Sequence, residues 1–329
     1  MSTASVSSMS ASTGVSPARP GAPIATGLVP RLTDPTTLVM IGLLAAAIGL
    51  LFHAWFYNQH RHSWGNPDWS HAYLVPLISG YLIWHNREKI ERARTGVFWP
   101  GLVAVLMGIV SYVFFLVGTP THLGQGLALV LTIFGVTLTL LGPAVMPWLF
   151  LPIAYLGFAI TVPELIMNYL TYPLQDLAAR GGYVLLNTCG VRCDIQGNVI
   201  NIVRADLSVF PLNVAEQCSG MRMVIAFLAL SVAVALVGTN LWWKRVVLMA
   251  MGVPVAVALN IVRVAVLGAV SQVNPDLSTG EAHTFIGTLL LFPGFLLFMG
   301  VLVALNKAVP EDAKAPPAPV GRPVVGGAA

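Results

Sequence analysis

Charge is what this sequence has least of. Only 9% of its 329 residues are Asp, Glu, Lys or Arg, against 56% that are hydrophobic. A soluble domain is usually about a quarter charged. That scarcity excludes an ordinary soluble enzyme, and several apolar runs reach the ~20 residues that a helix needs to cross a bilayer. Cysteine is also scarce. Three of them, with no C-x-x-C pair, exclude a zinc ribbon or a redox dithiol, and neither a metal nor a cofactor is expected. The net charge of +4 carries no nucleic-acid signal, because basic loops ordinarily mark the cytoplasmic side of a membrane protein. Residues 1–34 lack a basic-plus-apolar leader pattern and are Ser-, Ala-, Thr-, Gly- and Pro-rich. They read as a disordered cytoplasmic tail, and so do residues 307–329.

Hydropathy therefore predicts an all-α polytopic membrane domain over residues 35–306, with about eight transmembrane helices. The expected spans are 36–57, 72–84, 97–117, 126–141, 145–162, 220–237, 246–270 and 284–305. The second and fourth are short for a full crossing. Arg87, Lys89, Arg92 and Arg94 follow the second span, Lys244 and Arg245 lie between the sixth and seventh, and Lys307 follows the eighth. In an eight-span chain all three groups fall on one side, cytoplasmic by the positive-inside rule, and both tails join them. Arg180, Arg192 and Arg204 count against this orientation, but they lie in a long loop where the rule is weaker.

That loop, residues 163–217, is the outer excursion. From 164 to 186 it places Leu165, Tyr169, Tyr172 and Asp176 at helical spacing. This predicts an amphipathic helix in the interface, re-entrant in one version; a ninth span is the alternative. Val191 to Val203 alternates around Gln196-Gly197-Asn198, a hairpin signal, and Leu207 to Val214 can add a third strand. A small sheet is expected on the outer face.

The chain turns on Val214-Ala215-Glu216-Gln217-Cys218-Ser219-Gly220-Met221-Arg222, where this polar excursion gives way to an apolar run. Cys218 lies at the outer start of the sixth span, where water and a nearby cation can hold it as the reactive thiolate. Arg263 comes 17 residues into the seventh span, ~25 Å across a ~30 Å core. His283 opens the eighth span. Three residues distant in sequence thus reach one depth. An arginine inside an apolar span is costly and marks function by default; here it can donate to a developing oxyanion. His283 can serve as general acid and then base. Asn260, one turn before Arg263, can orient it or a substrate carbonyl. Arg222 shares the face of Cys218 if that turn is helical, Gly220 permits close backbone approach, and Glu216 completes the set of supporting residues. The bland alternatives are that Cys218 is an inert helix-end cysteine, that Arg222 snorkels to headgroups and that His283 is merely interfacial. Cys189 and Cys193, also on the outer side, either bridge each other or are plain buried thiols.

Cys218-Ser219-Gly220-Met221-Arg222, then Asn260-Ile261-Val262-Arg263-Val264, then His283 ahead of Gly287, resembles the exosortase/archaeosortase family, in its bacterial branch. The earlier Asp68-Trp69-Ser70-His71-Ala72-Tyr73-Leu74-Val75-Pro76-Leu77-Ile78-Ser79 resembles that family's amino-terminal signature. Ala72 stands where relatives often have Gly, which leaves the role of His71 open. The resemblance implies a cysteine protease or transpeptidase of the bacterial inner membrane, with its active site on the periplasmic face. Its catalytic residues would be Cys218, Arg263 and His283. Its partners would be exported proteins bearing a carboxy-terminal sorting tail: a short motif, often Pro-Glu-Pro, then a helix and a basic cluster. A lipid or polysaccharide-linked acceptor is open. The rival readings are a transporter or channel with Arg263 as an anion site, and a non-catalytic partner in polysaccharide export.

Overall fold

The computed structural model describes residues 35–204, 206–214, 220–273, 285, 289 and 291–309, without the side chains of 67, 68, 70, 170, 220–223 and 291. The apolar runs are helices, the form in which a chain satisfies its own backbone inside lipid. α1 (Pro35–Leu51) and α2 (His53–Ser63) meet at a bend of 72°. A 3-10 segment, Pro67–Tyr73, leads into α3 (Leu74–His85), and a single short helix, α4 (Arg87–Arg92), follows. α5 (Gly101–Val113) ends in a π turn, Phe114–Gly118, before α6 (His122–Leu141) and α7 (Met146–Tyr155). Next come α8 (Glu164–Thr188), strands β1 (Cys193–Gln196), β2 (Val199–Val203) and β3 (Val209–Asn213), then α9 (Gly220–Gly238), α10 (Trp242–Ser271) and α11 (Leu291–Ala308).

Among the described residues, three helices are long and apolar enough to cross a membrane: Gly101–Gly118, His122–Leu141 and Trp242–Ser271. The number rises to five if each bent pair is one span. The expected eight is therefore not reached by the described helices. Two expected spans are short helices here. α3 has 12 residues and α7 has 10, ~18 Å and ~15 Å against a ~30 Å core.

α5 and α6 show how two apolar helices hold together when lipid offers no hydrophobic contrast: small residues let the backbones close. Gly101 lies against Thr139, Gly108 against Thr132, and Gly135 against Val105 and Ala104, an antiparallel register. Thr132 and Thr139 donate their hydroxyls to Ala128 and Gly135 one turn back (2.8 and 2.7 Å), so neither carries an unmet polar group into the seam. A Cβ on Gly135 would stand 2.5 Å from the Val105 backbone nitrogen and 2.8 Å from the Ala104 carbonyl carbon. Backbone atoms cannot swing aside, so Gly135→Ala should cost about 1–3 kcal/mol and lower the thermal midpoint in detergent. Gly80→Ala, where nothing lies within 4 Å, should leave that midpoint unchanged.

The predicted sheet forms in the order β1-β2-β3, antiparallel throughout. Cys193 pairs with Ile202 and Gln196 with Val199 around a turn whose Gly197 has φ +59°, a conformation that glycine adopts without strain. The inner face of the sheet, Ile200, Ile202 and Leu212, packs with Ala178, Ala179 and Leu186 of α8 and with Val264 and Leu267 of α10 in one buried cluster. α8 runs at 92° to the preceding pair of helical segments. Its Leu165, Tyr169 and Tyr172 are exposed, while its last three turns lie under the sheet. Two of the arginines that count against the expected orientation are paired locally. Arg180 meets Asp176 at 2.9 Å, and Arg204 meets Asp206 at 3.8 Å.

Candidate active site

α10 is the axis of the site. One stripe of this 30-residue helix is buried, including Leu248, Gly252, Val255, Ala256, Asn260, Arg263, Val264, Leu267 and Ser271. The spacing of three and four residues is that of one helical face. Arg263 is 2% exposed and Asn260 is 3% exposed. The guanidinium of Arg263 therefore belongs to the protein interior, not to lipid; the snorkelling alternative concerns Arg222, whose side chain lies outside the described residues. Asn260 stacks one turn below it on the same face, and its Oδ1 accepts no hydrogen bond among the described residues.

Three neighbours converge on that turn. The first is α9, antiparallel to α10. The two helices meet where Gly252 lies against Ser231. Gly220 and Arg263 are each eleven residues from this crossing, on the same side of it, which is ~16 Å along either helix. The start of α9 is thus level with Arg263. The second is the sheet, which leaves its last described residue, Val214, fully buried in the cluster that contains Val264. The Val214 amide donates to the Asn198 carbonyl (3.0 Å), tying the end of β3 to the hairpin turn. The third is α8, whose Gly181 and Gly182 press against Ile261, two residues before Arg263, and Val264, the residue after it. A Cβ at Gly182 would stand 2.5 Å from Val264 Cγ1, and one at Gly181 would stand 2.6 Å from Ile261 Cδ1. Sequence reasoning missed this glycine pair. The available signal was two adjacent small residues in a helix, the mark of a close helix crossing.

Other expected site residues fall differently. Cys218, Glu216 and His283 lie outside the described residues, as do the other members of 215–219. Gly220 is the first residue of α9, and Arg222 is in that helix with its side chain undescribed. His71 lies in the 3-10 segment that packs against α9 and is half-buried, with the Trp69 ring 5.7 Å away. The helix of the amino-terminal signature, α3, joins the same body. Val75 and Leu82 pack with Tyr155, Ala229 and Leu236, and Tyr155 donates its hydroxyl to the Ala229 carbonyl (3.2 Å).

Lys244 requires a correction. Read as a loop lysine, it is instead inside α10 and fully buried. Its ammonium donates to Asn306 Oδ1 (2.8 Å) and to the Val309 carbonyl (2.7 Å), both at the far end of α11. A clamp between α10 and α11 stands at the end opposite Arg263. At the Arg263 end, Gly294 of α11 lies against Phe227 of α9 and Leu259 of α10. α10 and α11 are thus fixed to each other at both ends.

A second polar knot consumes its own groups. Gln59 donates to Ser63 Oγ (2.9 Å) and to the Ala159 carbonyl (2.8 Å), and its Oε1 accepts from His122 Nε2 (2.7 Å) and the Thr161 amide (3.3 Å). It joins α2, α6 and the segment after α7. Among the described residues, no cluster of three or more His, Cys, Asp or Glu side chains forms.

Cys189 and Cys193 are free thiols. Cys189 is exposed, contrary to the buried alternative, because it caps the open end of α8. Cys193 is half-buried in β1. Burial and the neighbouring Asp194 carboxylate push its thiol above the usual range. In a Cys218→Ala background, maleimide at neutral pH should label Cys189 first. Cys193 should catch up only as the pH rises, since the thiolate is the reacting form. Equal rates at neutral pH would contradict the burial of Cys193.

No curated protein and no solved structure matches the chain. The family profile described as "Transmembrane exosortase" matches residues 64–300, which takes in the 3-10 segment, the sheet and all of α9 and α10. Together with the long apolar helices, that match makes this a membrane protein, and the chain belongs to the transmembrane exosortase family.

Proposed function

We propose that the protein is a membrane-embedded cysteine peptidase or transpeptidase that removes a carboxy-terminal sorting tail, of the Pro-Glu-Pro type, from exported proteins. The observation that carries this reading is the buried Arg263, level with the start of α9. Cys218 precedes Gly220 by two residues of chain, ~7 Å at most. His283 precedes α11, whose described start packs beside Leu259, one turn from Arg263.

In the proposed reaction the Cys218 thiolate attacks the scissile carbonyl carbon. The electron pair of that C=O moves to oxygen, and Arg263 holds the oxyanion by charge-assisted hydrogen bonds. Asn260 steadies Arg263 from one turn below. His283 gives its proton to the leaving amine as the C–N bond breaks, leaving an acyl-thioester. The neutral imidazole then takes a proton from water, or from an amine of a lipid- or polysaccharide-linked acceptor, whose attack frees Cys218. Glu216, Gly220 and Arg222 would line the approach of the substrate, and the Arg263/Arg222 pair suits an acidic motif. The substrate would enter laterally, its own helix already in the bilayer. The eight-span topology, with the site on the periplasmic face of a bacterial inner membrane, is part of this proposal. It is supported at the end of α10 opposite Arg263, where Arg245 lines a pocket with Asn86, the residue before Arg87, and Lys244 bonds Asn306, the residue before Lys307.

The test is a tagged reporter carrying such a tail, co-expressed with the wild-type chain or with Cys218→Ala. Tail loss with the wild type alone is expected, and mass spectrometry of the new carboxy terminus distinguishes hydrolysis from transfer. Tail loss with both would remove Cys218 as nucleophile. A transporter with an anion site at Arg263 would keep its flux in Cys218→Ala and release no tail.

A further inference from the structure

A crevice of about 450 Å³ lies between α1, α3, α6 and α7, at the end of the protein away from Arg263. Its walls include Ile41, Leu44, Ile83, Ile133, Leu140 and Ile153. Two hydroxyls in the wall are already committed. Ser79 donates to the Pro152 carbonyl (2.8 Å), and Thr137 donates to the Ile133 carbonyl (2.7 Å). Away from α4 the wall therefore offers a guest mainly apolar surface.

Charge stands only at the mouth, where Arg87 and Glu91 of α4 line the crevice. They are one turn apart on the same helix face, yet no ion pair joins them among the described residues. The other charges of α4 are engaged elsewhere. Lys89 is turned to the Trp148 ring (4.8 Å to its centroid), and Glu88 meets Arg92 at 3.6 Å. Arg87 is held in place, its guanidinium 4.4 Å from the Trp84 ring centroid and its Nη1 donating to the Trp84 carbonyl (3.3 Å). A cation and an anion are thus presented side by side above an apolar slot.

Dimensions decide the occupant. The α6 wall runs from Ile133 to Leu141, ~12 Å, close to the hydrocarbon depth of one leaflet, about half of ~30 Å. The lining covers nine residues of α6, 133–141, while a spanning peptide helix would run along ~20 residues. A single acyl chain fits its length and its chemistry.

We propose that this crevice binds a phospholipid with a phosphate–ammonium headgroup, of the phosphatidylethanolamine class. One acyl chain lies between α1, α3, α6 and α7, the phosphate sits on Arg87, and the ammonium sits on Glu91. The proposal rests on the membrane placement of the chain and not on the peptidase reading, so either can fail alone.

The test is native mass spectrometry of the full-length protein, delipidated in detergent and given dioleoyl-phosphatidylethanolamine or dioleoyl-phosphatidylglycerol at equal concentration. The wild type should retain the ethanolamine lipid about threefold more than the glycerol lipid, the scale of one exposed ion pair. Glu91→Gln, a change at the mouth that leaves the walls intact, should abolish the preference while retaining the glycerol lipid. Ile133→Trp, which fills the slot, should reduce both lipids to the level of non-specific adducts. Equal retention of the two lipids by the wild type overturns the headgroup assignment. Retention unmoved by Ile133→Trp overturns the site.

Discussion

Replacing Cys218 by alanine will lower tail removal by at least about 10,000-fold, because the reaction loses its only covalent route and not a share of it. Serine at this position is the sharper probe. It keeps the volume and a hydrogen-bonding atom, but its hydroxyl ionises far less readily than a thiol, so Cys218→Ser should fall nearly as far. Neither change alters a residue of the described core, so the melting temperature in detergent should stay at the wild-type value. The measurement is single-turnover cleavage of a tail peptide in proteoliposomes, with stability read on the same samples. Activity of Cys218→Ser within tenfold of wild type would make the cysteine incidental and return the family resemblance to a matter of fold.

The second large effect is expected at Arg263. Arg263→Lys keeps the charge but loses the planar fork of donors, and should lower kcat by about 100- to 1000-fold, the cost of one oxyanion donor. KM should change little, because the oxyanion exists only in the tetrahedral states of acylation and deacylation and not in the bound substrate. A rise in KM with kcat preserved would instead assign Arg263 to binding an acidic sorting motif. Arg263→Ala would remove the charge altogether. Since the side chain is 2% exposed, that variant would also disturb its buried surroundings, so the kinetic comparison belongs to the lysine variant. Asn260→Ala should lower kcat about tenfold through Arg263, with the loss smaller in an Arg263→Lys background, as expected of residues acting as a unit.

The glycine pair on α8 connects these expectations to the fold. Gly181 and Gly182 hold α8 against Ile261 and Val264, in the turn that carries Arg263, so a methyl at Gly182 displaces α8 or that turn. The site depends on a close crossing of helices in which no chemically reactive residue takes part.

Much of this was determined by the sequence alone, where the controlling physics is local. The low charge and the long apolar runs specify a membrane protein. Gln196-Gly197-Asn198 specifies the hairpin, since the turn needs a positive φ and glycine supplies it. The unbroken run around Arg263 specifies a helix with a charge near one end. What the sequence left open is which way an apolar helix faces. Val262 and Val266 are 38% and 37% exposed, while Val264 between them is fully buried. Nothing in three valines distinguishes lipid from protein interior, because a lipid tail is as apolar as a leucine. Only tertiary packing decided that Arg263 and Asn260 turn inward and that Lys244 clamps α10 to α11. Packing also set α7 as a short helix and left a slot with two unjoined charges at its mouth. The inward turn of Arg263 depends on Gly181, Gly182 and Gly252, where α8 and α9 come close to α10, and these contacts join segments far apart in the chain.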